Sequence, residues 1–304
     1  MAELTGYLAP DGFLAELQHE LGEDALETHG RLVLAQGAPR DAAWVANLWR
    51  APQRLTIASI GDAAKQLRAI QRNWALYSSA HHRRAALIAE KLPKVSAKPL
   101  KFGESAPTAP LGSWTLLDPE TVLAAASCSS PFANGEANFI EDRAPPSRAY
   151  LKLWEAFTLL GTKPKAGEIC LDLGASPGGW SYVLGKLGVR AIAVDKAPLD
   201  PRVLALAGVE QRRESAFALD PSAIGPVDWL FSDVVCYPTR LFALIEKFLA
   251  ARTVRNFLCT IKFQGKTDFA TQARFAAIPG ARLMHLHANK HELTWIRLGT
   301  HRTI

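Results

Sequence analysis

Apolar and polar positions are arranged differently in the two halves of this chain, and the pattern changes near residue 147. Beyond that point, short apolar runs alternate with longer segments whose apolar residues recur at helical spacing. This alternation predicts a mostly parallel sheet covered by helices, with an antiparallel last strand because no helix precedes it. The predicted strands are 169–173, 189–195, 209–213, 229–233, 257–263, 283–287 and 292–298, and the predicted helices are 148–160, 178–187, 198–206, 239–251 and 268–277.

The first half has weaker periodicity. Residues 12–21 predict an amphipathic helix, and residues 114–117 and 122–126 predict two short strands of a hairpin-like element. A second helix is predicted from apolar residues at helical spacing, which are expected to pack: Leu67, Ile70, Trp74 and Tyr77.

Two stretches rich in proline, glycine and serine, residues 98–110 and 131–147, are typical of loops or linkers. They divide the chain into a smaller α+β domain, a linker with short β elements and a larger α/β domain. The predicted bounds are 1–97, 98–146 and 147–304.

The composition is that of a folded chain. Of 304 residues, 48% are hydrophobic and 21% are charged, which excludes a disordered or collagen-like protein. No apolar run approaches the roughly 18 residues of a membrane helix, and the N-terminus lacks the pattern of a signal peptide. The four cysteines form no C-x-x-C pair, so we expect free thiols in the cytoplasm and no disulfide scaffold or zinc ribbon.

Three histidines, His285, His287 and His291, invite comparison with a metal site because the first two share a strand face. No matching cluster of cysteines or carboxylates accompanies them. We therefore expect no bound metal, and contacts with RNA or structural roles are favoured.

The net charge of +6 is distributed unevenly. Residues 65–101 and 148–304 each carry +8, whereas residues 1–64 and 102–147 each carry −5. A basic block with so few acidic neighbours favours a phosphate-contacting surface, and the alternative is a solvated helix face. The candidate RNA-binding residues, of which the first three are expected to share a face of the second predicted helix, are Lys65, Arg68, Arg72, Arg83 and Arg84.

The strongest local signal is the glycine-rich segment 171–180, Leu-Asp-Leu-Gly-Ala-Ser-Pro-Gly-Gly-Trp, which joins a predicted strand to a predicted helix. Ligands collect at such turns because glycine lets them approach the backbone. Ser176 stands at the third position of the dinucleotide fingerprint, where glycine is required, so a smaller adenosine cofactor is favoured. Asp195 ends the next strand, where a carboxylate accepts hydrogen bonds from ribose hydroxyls. The alternative is a structural turn beside a surface aspartate.

These motifs resemble the FtsJ-type family of S-adenosylmethionine-dependent RNA ribose 2′-O-methyltransferases. Ser147–Leu153, Phe231–Val235, Thr260–Phe263 and His291–Trp295 resemble further motifs of that family, in the same order. The resemblance implies a Rossmann-like class I methyltransferase sheet that binds S-adenosylmethionine. The implied cofactor-binding residues are Asp172, Gly174, Ala175, Ser176, Pro177, Gly178, Gly179, Trp180, Asp195, Ser215 and Asp233.

The resemblance also implies a catalytic tetrad of Lys152, Asp233, Lys262 and Glu292. In that assignment Lys262 removes the proton of the ribose hydroxyl or steers the hydroxyl. Asp233 has a positioning role and balances the charge of the cluster. Glu292 orients Lys152 or the ribose. Structural alternatives remain open: Lys152 as a surface lysine on an amphipathic helix, Asp233 as a strand-end cap, and Lys262 as a lysine that extends from an edge strand.

Three positions depart from the family or leave a choice. Ser215 stands where the family has an aspartate that contacts the adenine amino group, and Glu214 or a backbone group is a possible substitute. Trp154 stands where the closest relatives are acidic. Tyr237, in the loop after Asp233, is expected to pack, with stacking on a base as the alternative.

The N-terminal helix and the Ala-Pro-Pro-Ser-Arg junction at 144–148 resemble bacterial methyltransferases that modify a cytidine of 23S rRNA on the ribose. That resemblance implies an N-terminal RNA-binding region with ferredoxin-like and THUMP-like parts and a partner in 23S rRNA or a large-subunit precursor. We expect a monomer. RNA is expected to contact both the basic block and Lys152 and Lys262. Alternatives are another RNA such as tRNA, a catalytically inactive RNA-binding or ribosome-assembly factor, and an NAD-type dehydrogenase, which Ser176 disfavours.

Overall fold

The computed structural model describes residues 3–96 and 98–299, and the chain divides between Ile140 and Glu141 into two units. This division lies before the predicted boundary at 146/147. Ala97, where the first predicted domain ends, and residues 300–304 lie outside the described residues.

The first unit contains nine strands and three α-helices among its described residues. They are β1 (Leu4–Leu8), α1 (Leu14–Leu21), β2 (Ala25–His29), β3 (Leu32–Gln36), β4 (Asn47–Arg50), β5 (Gln53–Thr56), α2 (Ile60–Ile70), β6 (Trp74–Leu76), α3 (His82–Ala89), β7 (Gly112–Asp118), β8 (Thr121–Ala125) and β9 (Ser127–Cys128).

These strands form two sheets that share a core. The first sheet is antiparallel, in the order β2-β3-β1-β4-β9. Its first four strands have the order of a ferredoxin-like sheet, in which residues 37–46 take the place of the second helix. The second sheet has the order β5-β8-β7-β6 and packs against α2 and α3 through Leu67, Ile88 and Trp114. Leu34, Trp49 and Leu123 join the two sheets in one buried cluster.

The segment 98–146, which we expected to be a linker, contains strands of both sheets. Strands β7 and β8 form the expected hairpin, and they pair with β6 and β5 on either side. Most of this segment therefore belongs to the body of the first unit, because its apolar strand residues complete the sheet that covers α2 and α3.

The prediction of one helix through Leu67, Ile70, Trp74 and Tyr77 was wrong. Helix α2 ends at Ile70, since the next residue has an extended backbone, and Trp74 lies on strand β6. The Trp74 indole N–H donates to the carbonyl oxygens of Leu67 (2.9 Å) and Gln71 (3.1 Å). A side chain outside the helix thus provides a hydrogen-bond donor for carbonyl groups at the end of the helix. Ile70 is exposed rather than packed.

The second unit contains seven strands and six α-helices among its described residues. They are α4 (Tyr150–Leu160), β10 (Ile169–Leu173), α5 (Gly179–Lys186), β11 (Arg190–Val194), α6 (Pro201–Leu204), β12 (Val209–Arg212), α7 (Pro221–Ile224), β13 (Val227–Ser232), α8 (Pro238–Ala251), β14 (Val254–Lys262), α9 (Phe269–Ala276), β15 (Ala281–Met284) and β16 (Glu292–Arg297).

The predicted α/β sheet with a mostly parallel order is confirmed. Its order is β12-β11-β10-β13-β14-β16-β15, and β16 runs antiparallel to both of its neighbours. Each predicted strand and helix of this half is present with bounds that differ by a few residues, and the short helix α7 was not predicted. In the described part of the chain, no helix is long and apolar enough to cross a bilayer.

This topology brings the ends of several strands to one edge of the sheet. The parallel strands β10, β13 and β14 end at Leu173, Ser232 and Lys262 on the same edge. Because β16 runs in the opposite direction, its first residue, Glu292, pairs in register with Lys262. Side chains that are far apart in the sequence thus meet at the carboxyl edge of the sheet, where α/β proteins bind ligands.

Candidate active site

The glycine-rich turn after β10 requires glycine at two positions. Gly174 has φ +77°, and a Cβ there would lie 2.6 Å from the Val234 Cα. Gly178 has φ +113°, and a Cβ there would lie 2.8 Å from a methyl group of Val203. Both the left-handed backbone and the close approach of a neighbouring segment exclude other side chains. The turn is therefore pressed against the chain that follows β13.

Asp195 ties the glycine-rich turn to the second strand of the sheet. One carboxylate oxygen accepts from the Ser176 backbone N–H (3.1 Å), and the other accepts from the Ala197 backbone N–H (2.9 Å). The side chain is half-buried, and each oxygen keeps a further lone pair. The predicted ribose acceptor thus stands at the turn, held by two hydrogen bonds.

Two of the predicted cofactor-binding side chains make hydrogen bonds to other residues of the second unit. Asp172 is 1% exposed and accepts a hydrogen bond from the Ser181 hydroxyl (2.6 Å). Burial raises its pKa to about 7. The buried Trp180 donates its indole N–H to the Ala149 carbonyl oxygen (2.8 Å). These contacts join the turn and α5 to the start of α4.

The structure brings the four predicted catalytic side chains into one cluster. Lys152 Nζ lies 3.0 Å from Asp233 Oδ1 and 2.6 Å from Glu292 Oε1. Lys262 Nζ lies 3.1 Å from Asp233 Oδ1 and donates to the Asp233 carbonyl oxygen at 2.6 Å. The four residues come from α4, from the residue after β13, from the end of β14 and from the start of β16.

The cluster consists of two ammonium and two carboxylate groups with little access to water. The side chains of Lys152 and Glu292 are 10% and 8% exposed. Burial lowers the pKa of Lys152, but the carboxylates of Asp233 and Glu292 outweigh it, and the net pKa is raised. Lys152 therefore stays protonated and acts as a fixed cation.

One residue that supports the cluster had not been predicted. Glu155, one residue after the anomalous Trp154, is 2% exposed and accepts from the backbone N–H groups of His287 (2.6 Å) and Ala288 (2.9 Å). Burial raises its pKa to about 7, although these two hydrogen bonds act in the opposite direction. It holds the loop before β16, and its place on an amphipathic helix gives no sequence signal of this role. Trp154 packs edge-on against Tyr150, with ring centroids 4.6 Å apart.

The loop that carries Ser215 has no aspartate in the expected place. Ser215 is half-buried and begins a short 3-10 turn, Ala216–Ala218, while Glu214 is exposed. The guanidinium of Arg240 lies 3.8 Å from the centroid of the Phe217 ring in that turn. The structure thus places Ser215 beside a stacked Arg–Phe pair.

The histidines make local contacts. His285 Nε2 lies 2.9 Å from the Lys290 carbonyl oxygen, and His291 Nε2 lies 2.7 Å from the Thr267 hydroxyl. Burial lowers the pKa of His285 to about 4. Residues 3–96 and 98–299 contain no group of three His, Cys, Asp or Glu side chains suited to hold a metal ion.

The predicted RNA-binding residues lie on two helices of the first unit and on the chain between them. Lys65 and Arg68 are exposed on α2, but Arg72 lies beyond the end of that helix, so the expected shared face of three residues was wrong. Arg83 is exposed and Arg84 is half-buried, both in the first turn of α3.

Comparison with known proteins agrees with the resemblance derived from the motifs. Residues 145–265 match the family model of FtsJ-like methyltransferases. A protein named ribosomal RNA large subunit methyltransferase M from Aromatoleum aromaticum is 34% identical over 168 residues, which cover 50% of this chain and 45% of that protein. The protein of the same name from Marinobacter nauticus is 30% identical over 199 residues, 59% of this chain and 55% of that protein.

The chain spans about half the length of the curated relatives it matches. Among solved structures, a ribosomal RNA methyltransferase from Plasmodium falciparum aligns with 18% identity and a TM-score of 0.39, over 50% of this chain and 97% of that one. The match to the family model confirms the resemblance to FtsJ-like methyltransferases for residues 145–265, which carry the glycine-rich turn, Asp233 and Lys262.

Gly174→Ala is expected to destabilise the protein more than Gly167→Ala. Both residues have a left-handed backbone, with φ +77° and +85°, but a Cβ at Gly167 would meet no atom within 4 Å. The difference between the variants therefore isolates the clash with Val234, which we expect to cost about 1–3 kcal/mol. Urea denaturation measures it, and equal losses would show that backbone strain alone accounts for the effect.

Lys152→Met is expected to be more destabilising at pH 8 than at pH 5. Without the ammonium group, the buried carboxylates of Asp233 and Glu292 lose a cation within 3.0 Å, and proton binding relieves the uncompensated negative charge of the folded state. Because the folded state then binds more protons than the unfolded state, stability falls as pH rises from 5 to 8.

The pH dependence of thermal unfolding measures this effect. The double variant Lys152→Met, Glu292→Gln is the control, because it removes one uncompensated carboxylate and is expected to show a weaker pH dependence. A loss of stability that is the same at both pH values would contradict the electrostatic explanation and leave only lost packing.

Proposed function

We propose that this chain transfers a methyl group from S-adenosylmethionine to a ribose 2′-hydroxyl of RNA, and that the target is a cytidine of 23S rRNA in the large subunit. The observation that carries this proposal is the cluster of Lys152, Asp233, Lys262 and Glu292 beside the glycine-rich turn. The name of the curated relatives supports the choice of large-subunit rRNA. The enzyme would meet this substrate in the cytoplasm.

The residues at the turn fit an adenosine cofactor with a carboxylate tail. Gly174 lets the turn lie directly against the chain that follows β13, and Asp195 offers carboxylate lone pairs for ribose hydroxyls. The first turn of α5 has backbone N–H groups without partners inside the helix, which suit an anionic group. When bound, S-adenosylmethionine supplies a methyl group that its positive sulfonium activates.

The tetrad supplies what the cofactor does not. The ribose hydroxyl is a poor nucleophile and has to lose its proton as the new bond forms. Lys152 is a fixed cation that holds both carboxylates in place, so the proton does not go to it. Lys262 is held by the side chain and the carbonyl oxygen of Asp233. As a neutral amine it accepts the proton, and as an ammonium group it steers the hydroxyl instead. Glu292 fixes Lys152.

The basic residues of the first unit are proposed to contact RNA phosphates. Lys65, Arg68, Arg72 and Arg83 are exposed, and α2 packs against α3 through Leu67 and Ile88. The two helices therefore belong to one rigid part of that unit. Arg84 is half-buried, and we assign it a smaller contribution.

Mapping of ribose methylation across total RNA tests the substrate and the activity together. In a strain that lacks the gene, we expect the loss of one methylated cytidine in 23S rRNA and its restoration when the gene returns. The Lys262→Ala gene is the control that separates catalysis from the presence of the protein. If the strain instead loses a methylated site in tRNA, the substrate is tRNA and not 23S rRNA. If the methylation map does not change, the proposed activity is refuted.

Lys262→Ala is expected to lower the methyl-transfer rate by about 10²–10⁴-fold and to leave cofactor affinity unchanged, because the side chain acts on the hydroxyl proton. Single-turnover transfer to unmethylated large-subunit rRNA measures the rate, and isothermal titration measures the affinity. Lys165→Ala removes an exposed lysine near the opposite edge of the sheet and should leave both unchanged. A wild-type rate in Lys262→Ala would overturn the assignment.

Arg72→Glu and Arg83→Glu are each expected to weaken binding to large-subunit rRNA and to reduce its salt dependence, because each removes a phosphate contact. The slope of log K against log salt concentration should fall by about 1 for each lost contact. Filter binding between low and moderate salt measures this slope. Arg72→Lys and Arg83→Lys keep the charge and should keep the slope. Unchanged affinity in the glutamate variants would remove this surface from the proposal.

A further inference from the structure

The loop between Asp233 and α8 exposes two large apolar side chains at the mouth of the site. Val235 is 74% exposed and Tyr237 is 63% exposed, the highest fractions for large hydrophobic side chains among the described residues. The expectation that Tyr237 packs was therefore wrong. No hydrogen bond or ring contact of its side chain is found in the described part of the chain.

This loop is fixed on both sides, so the exposed side chains stand on a rigid base. Val234 is pressed against Gly174, and the Lys262 ammonium donates to the Asp233 carbonyl oxygen (2.6 Å). Cys236, between the two exposed residues, is 8% exposed and faces inward. The Tyr237 carbonyl oxygen accepts the N–H groups of Arg240 (2.9 Å) and Leu241 (3.2 Å) at the start of α8.

Two cations lie beside the loop. Lys262 contacts Asp233 at the start of the loop, and Arg240 lies in the first turn of α8, which follows the loop. Burial raises the pKa of the Cys236 thiol, and the charges of these two residues act in the opposite direction. Arg240 is held in place by its stacking on Phe217. Exposed apolar groups among cations suit a partner that combines flat apolar faces with negative charge, which describes single-stranded nucleic acid.

We propose that Tyr237, flanked by Val235, stacks on a base of the RNA at or next to the target nucleotide. This inference rests on the proposed function, because a ribose can enter the cluster only if its nucleotide leaves the surrounding RNA stack. Extraction costs the stacking of that base, and an aromatic face at the mouth of the site replaces it. Tyr237 thus acts as a positioning residue that holds the ribose before Lys262.

The test compares Tyr237→Ala, Tyr237→Leu and Tyr237→Trp with the wild type on deproteinised, unmethylated large-subunit rRNA. The alanine and leucine variants are expected to lose about 10- to 100-fold in kcat/KM and in RNA affinity, and the tryptophan variant is expected to retain both. Tm and S-adenosylmethionine affinity should not change, because the side chain is exposed and is not among the residues assigned to the cofactor. Leu298→Ala removes another exposed apolar side chain, beyond β16 at the opposite edge, and should have no effect.

Three results would overturn the inference. Wild-type kcat/KM and RNA affinity in Tyr237→Ala would show that no stacking occurs, and full retention in Tyr237→Leu would show that an aromatic ring is not needed. A loss seen on ribosomal particles but not on deproteinised RNA would assign the surface to a protein. Failure of the proposed function is distinguishable, because the wild type would then transfer no methyl group while RNA affinity still reports on stacking.

Discussion

The geometry of the site depends on the Lys152 ammonium group, which is held between the carboxylates of Asp233 and Glu292. These contacts of 3.0 and 2.6 Å connect α4 to two different strand ends. A desolvated ion pair contributes little to stability compared with apolar residues of the same volume, because each charge loses its hydration. Four ionised groups gathered at the carboxyl edge of a sheet are therefore better explained by chemistry than by folding.

Buried carboxyl groups behind the site fix this arrangement. Asp172 is bonded to Ser181 under the glycine-rich turn, and Glu155 is bonded to the backbone before β16. Each replaces the hydration of buried polar groups with hydrogen bonds of defined direction, which limits the positions that the turn and Glu292 can take. The glycine-rich turn and the loop before β16 are thus held by polar contacts behind the cluster.

The two units meet different physical requirements of the same proposed substrate. The exposed basic residues on α2 and α3 suit the phosphate backbone, which binds by charge and without regard to sequence. The loop with Val235 and Tyr237 offers apolar faces to a base beside the reacting ribose. In this proposal, one surface supplies binding strength and the other places a single nucleotide.

The order of strands and helices after residue 147 could be predicted from the sequence, because buried strands need unbroken apolar runs and the glycine-rich turn allows few conformations. The resemblance of four motifs to a known family also predicted that Lys152, Asp233, Lys262 and Glu292 belong to one site, and the structure brings these side chains together. The prediction of a helix through Trp74 was wrong, since helical spacing of apolar residues also arises by chance across the boundary between a helix and a strand. The burial of Glu155 and the exposure of Tyr237 could be read only from the folded chain, because burial depends on which residues from elsewhere in the chain pack against a side chain.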